Sequence, residues 1–387
     1  MKKTYLLLLI FLFAISFLFL QEKNKPQIKP SGFKVKVGII GPLSGDNMGR
    51  GMMGIRGIKI AQHLIPYLNN GDEIEWVAKD DQGMPEQSIK ALKTLVKTDK
   101  VAAVIMLSGS NSVLATAKIA DQYKIPILTV FASHPDITKY SSFVNQFNFD
   151  DKFQASVAAL YIRDELLFEK VAIISQTDNI HLSFLANEFA KQFKSDEGLV
   201  TDSYDSQTTT KDYLQILQTI RKKDPELLYL LVSAEHLFKI KLALADLNWA
   251  PTIMVSDGTI ASAITQNEYP LYILDGTLAI DAYSYDTEFT HLGEQLLEQV
   301  NAMGINKQDI GTYGALGMEA YALLVKAMNQ CDVLHNLPIC INNSIRSTSK
   351  FEGIKGFISF DKNGKAHRSL VVNRLNDGVA EFVVQVY

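Results

Sequence analysis

The sequence predicts an α/β fold built as two doubly wound lobes, and three observations carry that prediction. Short β-branched runs such as Val35, Val37, Ile39 and Ile40 stop at glycine, proline or a polar loop, as strands buried in a parallel sheet do. Each run is followed by a segment with helical spacing, and that alternation builds βαβ units with right-handed crossovers. The alternation occurs twice, before and after a break at Asp150-Asp151. At 387 residues, the chain is long enough for two separate cores.

The first set begins with a strand over Val35–Ile40 and a helix over Met53–Leu68. A strand over Ile74–Lys79 ends at Asp80-Asp81-Gln82-Gly83, and Pro85 opens a helix to about Thr98. Proline fits the first helical turn, where its missing N–H has no intrahelical partner to lose. Strand Ala102–Met106, helix Ser112–Tyr123 and strand Ile127–Val130 complete the set. The second set runs through strand Val171–Ile174, helix Leu182–Phe193, strand Leu199–Tyr204 and helix Lys211–Arg221. It continues with strand Leu227–Val232, helix Glu235–Leu247 and strand Thr252–Val255. Leu278–Ala282 reads as another extended segment, followed by helices over Glu288–Met303 and Thr312–Asn329. The last part changes to short antiparallel strands, Phe357–Phe360, Ser369–Leu375 and Glu381–Val386. Lys362-Asn363-Gly364 and Asn376-Asp377-Gly378 supply the turn chemistry between them. No linker or low-complexity tract follows Ser31, so the lobes are expected to share several short crossings, an arrangement suited to hinge closure.

Composition narrows the function. Hydrophobic content of 47% and charged content of 21% are those of an ordinary globular protein, and a net charge of −4 argues against a nucleic-acid partner. Lys2 and Lys3 precede an apolar run from Tyr5 to Leu20, the pattern of a secretory signal or, uncleaved, of a membrane anchor. A polar spacer, residues 21–33, separates this segment from the first strand. The leader implies an oxidising compartment, where the spacing of Cys331 and Cys340 allows a local disulfide; the alternative is two independent buried thiols. With only His335 between them, these cysteines are too few for a closed zinc site, and no metal is expected.

Catalytic constellations are missing. Gly49-Arg50-Gly51-Met52-Met53-Gly54 fits GxGxxG, but a loop intervenes between it and the preceding strand, so it lacks the strand-to-helix position of a dinucleotide fingerprint. No phosphate loop, nucleophile elbow or HxxxH pair is present, and no cofactor is expected. Asp80-Asp81 reads as a solvated strand end and helix cap. What the chain does offer is polar loops at strand ends. Ser44, Gly45 and Arg50 follow the first strand, Ser108 to Ser112 the third, Ala132 to Pro135 the fourth, and Asp257-Gly258 follows an apolar strand of the second set. Helix N-termini and hydroxyls there suit a carboxylate, and Asp257 suits an ammonium or amide N–H. Each Ser or Asp taken alone is a helix cap; their shared position at carboxyl ends of strands makes them a site.

These residues resemble the type I periplasmic binding proteins of the branched-chain amino acid and amide class, the substrate receptors of ABC importers. The motifs are VGIIGPLSG (37–45), DDQG.P (80–85), AAVIMLSGSNS (102–112), IPILTVFASHPDIT (125–138) and VAIISQTD (171–178). KDYLQILQTIRKKDPELLYL (211–230) and GFISFDKNGKA (356–366) extend the likeness over nearly everything from Lys34 on. The resemblance implies the type I periplasmic binding protein fold, with two doubly wound, Rossmann-like lobes joined by three crossings. One lobe would comprise residues 34–150 and 281–352, the other 151–280 and 353–387. It implies a carboxylate clamp at Ser110, with Ser112 beside it, and at Phe131, Ala132 and Ser133; Asp257 would take an ammonium. Two pocket positions that are aromatic in the family fall at Ile180 and Ala234, and a third falls at Arg50, which would favour an extra carboxylate or carbonyl. The implied function is a periplasmic solute-binding protein. It would close around an amino acid, amide or small carboxylate and deliver it to an ABC permease in the membrane. The alternative is a sensor of the same fold, held at the membrane by the leader and signalling to a partner protein. An enzyme would need a catalytic set the sequence does not show.

Overall fold

The computed structural model describes residues 28–194, 208–266, 270–331 and 337–387. The leader, most of the spacer and the expected strand Leu199–Tyr204 lie outside the described residues. Strands β1 (Lys34–Gly41), β2 (Glu73–Asp80), β3 (Ala103–Met106), β4 (Ile127–Thr129) and β5 (Val144–Gln146) form a parallel sheet in the order β2-β1-β3-β4-β5. A second sheet begins with parallel strands β6 (Val171–Ser175), β7 (Leu227–Leu231), β8 (Thr252–Val255) and β9 (Leu278–Asp281). Short strands β10 (Phe351–Glu352), β11 (Phe357–Phe360) and β12 (Ala366–His367) form a small antiparallel sheet. The hairpin β13 (Leu370–Asn376) and β14 (Val379–Val386) then joins β9 antiparallel, completing the order β14-β13-β9-β8-β7-β6. Asp377 and Gly378 both have positive φ, as the two-residue turn expected from Asn376-Asp377-Gly378 requires.

Helices cover both faces of each sheet. In chain order they are α1 (Met48–Leu64), α2 (Pro85–Thr94), α3 (Ser110–Tyr123), α4 (Asp151–Leu160), α5 (Ile180–Lys194) and α6 (Thr210–Arg221). Then come α7 (Ala234–Asp246), α8 (Thr259–Gln266), α9 (His291–Ala302), α10 (Gly311–Met328) and α11 (Leu337–Arg346). Alternating strand residues feed different cores: Ile39 and Ile173 enter one that runs continuously beneath both sheets, Ile40 and Ile174 the outer cores. Two-sided burial is why these strands read as unbroken apolar runs. The chain passes between the sheets three times, after β5, after β9 and before β13. This is the type I periplasmic binding protein fold.

Several elements differ from expectation. Helix α1 starts five residues early, taking in the whole of Gly49 to Gly54. Its glycines serve contact with α10: a Cβ on Gly57 would sit 2.0 Å from the Gly314 carbonyl oxygen, and one on Gly317 2.3 Å from that of Gly54. Of the GxGxxG glycines, Gly54 has its carbonyl against Gly317 of α10, while a Cβ on Gly51 would meet the Pro42 carbonyl and one on Gly49 would meet Thr265, so close packing occupies each position without a nucleotide. Asp81 is fully buried, not solvated: it accepts from Ser88 Oγ at 2.6 Å, from Gly83 N at 2.9 Å and from Ser108 Oγ, tying its own loop to helix α2 and to the loop after β3. Cys331 and Cys340 are joined as a disulfide. Among the described residues, no helix is long and apolar enough to cross a membrane.

Candidate functional site

The carboxyl ends of the two parallel sheets face each other across a cavity of about 330 Å³. Arg50 reaches it from the first turn of α1, after β1. Ser110 and Ser112 reach it from the first turn of α3, after β3; Phe131, Ala132 and Ser133 come from the loop after β4. Ala234 enters at the start of α7 and Asp257 after β8. Eight of the nine residues expected at a ligand site therefore line one cavity. The exception is Ile180, which lies outside it, 41% exposed, in a neighbouring depression with Phe184 and His134. Residues adjacent on the first turn of a helix point in different directions, and it is His181 that faces the cavity.

The first-sheet end carries groups with no protein partner. Helix α3 has Gly109 at its N-cap and no side-chain cap, so first-turn N–H groups point at the cavity with their partial positive charge. Ser112 is 1% exposed, and its Oγ makes no hydrogen bond. The Arg50 guanidinium lies over Gly109, its terminal nitrogens 3.7 and 3.9 Å from where a Cβ would stand, and its buried Nε is also without a hydrogen bond. Among the described residues no carboxylate pairs with Arg50. Beside it, Phe131 and Tyr313 pack with ring centroids 4.9 Å apart. The Tyr313 hydroxyl crosses to the second-sheet side, meeting Ser262 Oγ at 2.8 Å and donating to the Gly258 carbonyl at 3.0 Å.

At the second-sheet end Asp257 is well partnered, although Asp151 Oδ1 behind it is buried without a hydrogen bond. Asp257 accepts from Gln154 Nε2 at 2.9 Å and Asn148 Nδ2 at 3.2 Å, while its own N–H donates to Gln154 Oε1 at 2.9 Å. His181 joins two carboxylates, with Nδ1 3.0 Å from Asp151 and Nε2 3.5 Å from Asp257. Its Nδ1 also lies 3.2 Å from Ser133 Oγ, across from the first sheet. Burial opposes a charge on His181, but the Asp151 charge and hydrogen bond, together with Asp257, overturn that and raise it to about 9. Burial pushes Asp257 upward, with Asp151 adding to it and His181 opposing. Asp281, at the end of β9, is lifted to about 7 by burial, against hydrogen bonds from Thr312 and the Ala282 N–H. Asp151, His181 and Asp257 place ligand atoms within 4.8 Å of one another.

Sequence reasoning missed His181, Gln154, Asn148, Tyr313 and Asp281. The rule that selected Asp257, a carboxylate at a strand's carboxyl end, applies equally to Asp281. The partners of Asp257 had no local signal, since Gln154 lies 103 residues away in the chain.

A family model described as periplasmic binding protein matches residues 34–379. An amino acid binding protein of Pseudomonas aeruginosa is 24% identical over 293 residues, 74% of this chain and 77% of that protein. A leucine binding protein from Thermotoga maritima has a similar structure, with a TM-score of 0.82 at 25% identity, covering 91% of this chain and 98% of that one. An ABC-transporter solute binding protein from R. palustris, in complex with 4-hydroxybenzoate, gives a TM-score of 0.79 at 20% identity over 91% of this chain and 97% of that one, a likeness of fold. The family match runs from the first strand into the final hairpin, and the chain belongs to the periplasmic binding protein family, whose members work outside the cytoplasm.

Proposed function

We propose that the chain is the solute-binding component of an ABC importer, closing around a small carboxylate-bearing solute and handing it, unaltered, to a membrane permease. Residues 1–20 would direct export. Residues 34–150 with 281–352 would form one lobe, and 151–280 with 353–387 the other. The observation that carries this reading is the set of unpaired donors at one end of the cavity, namely Arg50, Ser112 Oγ and the start of α3. Buried polar groups without partners are uncommon in folded proteins and are expected where a ligand completes them. Arg50, Ser110, Ser112, Phe131, Ala132 and Ser133 would hold the carboxylate end. Ala234, small and 2% exposed, would leave room for the rest of the solute. A solute touching both lobes favours the closed state by its differential contacts there.

Thermal denaturation of the purified protein against a panel of amino acids, amides and small carboxylates tests this. A solute that binds only the folded state raises the melting temperature in a concentration-dependent way. If no carboxylate in the panel does so, the reading is wrong.

A further inference from the structure

We infer that the preferred solute is a carboxylate without an amino group, and that His181 sets this preference by holding the position on Asp257 that an ammonium would need. The inference rests on the carboxylate reading above and narrows it. An ionised carboxylate offers about four lone-pair sites. Asp257 has committed two of them, to Gln154 Nε2 at 2.9 Å and Asn148 Nδ2 at 3.2 Å, and His181 Nε2 stands at ion-pair distance from it, 3.5 Å away. An ammonium would have to take what remains while standing against a resident cation. His181 is fixed in place, since its other nitrogen is tied to Asp151 at 3.0 Å and faces Ser133 Oγ at 3.2 Å.

The opposite end has the reverse balance. Arg50 has a positive charge with no carboxylate within ion-pair distance among the described residues, and Ser112 Oγ is buried without a partner. An incoming carboxylate meets unmet donors; an incoming ammonium meets, at Asp257, an acceptor that two amides already hold and that His181 faces. Asp281 is the remaining carboxyl on the wall, 7% exposed, and accepts from the Ala282 N–H at 2.7 Å. With burial raising it to about 7, part of its population is a neutral acid near neutral pH, suited to a hydroxyl or carbonyl oxygen on the far end of the solute.

The test is calorimetric titration of the full chain with ligand pairs that differ only in the amine: leucine with 4-methylpentanoate, phenylalanine with 3-phenylpropanoate, and tyrosine with 3-(4-hydroxyphenyl)propanoate. In any pair that binds, the amine-free acid should bind at least tenfold tighter. His181→Asn, which removes the cation and frees Asp257, should shrink that ratio at least tenfold or reverse it. An amino acid binding as tightly as its amine-free partner in the unmodified protein overturns the inference and leaves the carboxylate reading standing. A preference for the amine-free acid that survives His181→Asn unchanged overturns the role of His181. Failure of every pair member to bind overturns the carboxylate reading and this inference together. If His181→Asn does not fold, the paired titrations of the unmodified chain still decide the ligand class, and His181→Gln decides the residue.

Discussion

The two ends of the cavity are made of the same kinds of groups and differ in whether those groups are spoken for. At the second-sheet end, Asp257 accepts from two amides and lies 3.5 Å from the His181 ring, and His181 contacts residues from three different elements. At the first-sheet end, Arg50 and Ser112 hold polar atoms that no protein group satisfies. Both ends are polar and both line the cavity, so residue type alone does not separate a ligand contact from a structural strut. Among the groups that line the cavity, satisfaction does: Asp257 is already held by two amides, whereas Arg50 and Ser112 keep polar atoms ready for something else; Asp151 Oδ1 is also unpartnered, but Asp151 does not line the cavity.

The sharpest way to break this contrast is Asp257→Ala. The substitution removes one of the two carboxylates beside His181 and strands the side-chain amide N–H groups of Gln154 and Asn148. Removing one partner of a buried pair costs about 3–5 kcal/mol. Chemical denaturation should show a loss of that size, well beyond any effect of substitutions at the first-sheet end. An undiminished midpoint would mean that the cluster is not a strut.

The His181 charge should appear as a pH dependence of stability. Its proton is held up to about 9 in the folded protein, against an ordinary value of 6.5. The folded state therefore binds more protons than the unfolded state between those values. The stabilisation is fully present below pH 6.5 and disappears as pH rises through 9; at 1.36 kcal/mol per pH unit it amounts to about 3 kcal/mol. Lys355 works in the opposite direction. Burial lowers it to about 7, so its contribution grows with pH above that value. Comparing the unmodified protein with His181→Asn across pH 6 to 10 cancels Lys355 and isolates the histidine. The stability gap between them should narrow as pH rises; a constant gap would show that His181 is neutral.

Arg50→Ala should do the reverse of Asp257→Ala. Arg50 has no carboxylate partner among the described residues, so truncation should leave the unfolding midpoint nearly unchanged. Hydrogen bonds to charged groups contribute about 1.5–3 kcal/mol, so calorimetry should show affinity for a carboxylate solute falling roughly 10- to 150-fold. Equal losses of stability and affinity would collapse the distinction between the two ends.

What the sequence made legible follows the same line. Strands buried on both faces announce themselves, because Ile39-Ile40 and Ile173-Ile174 feed two cores each and must be apolar throughout. Loops at strand ends were likewise readable, which is how Arg50, Ser110, Ser133 and Asp257 were found. Elements without a periodic apolar signal were not. Strand β5 is three residues long and buries Asn145 and Gln146, α4 begins in the acidic pair that marks the crossing, and α8 and α11 were also absent from the sequence reading. Saturation was invisible as well. Whether Asp257 is free or occupied depends on Asn148, Gln154 and His181, each over 70 residues away along the chain and brought in only by the fold.

Ser112→Ala gives the smallest and most discriminating effect. Ser112 is 1% exposed, and its hydroxyl pays for burial without a hydrogen bond in return. Replacing an unpaired buried hydroxyl with a methyl group removes that cost, so the stability of the empty protein should hold or rise slightly. The same hydroxyl would contribute one hydrogen bond to a bound carboxylate, about 1 kcal/mol, so affinity should fall roughly fivefold. Stability and affinity moving in opposite directions is the signature of a group held in reserve for a ligand. If both fall together, Ser112 has a structural partner, and the first-sheet end is no more available than the second.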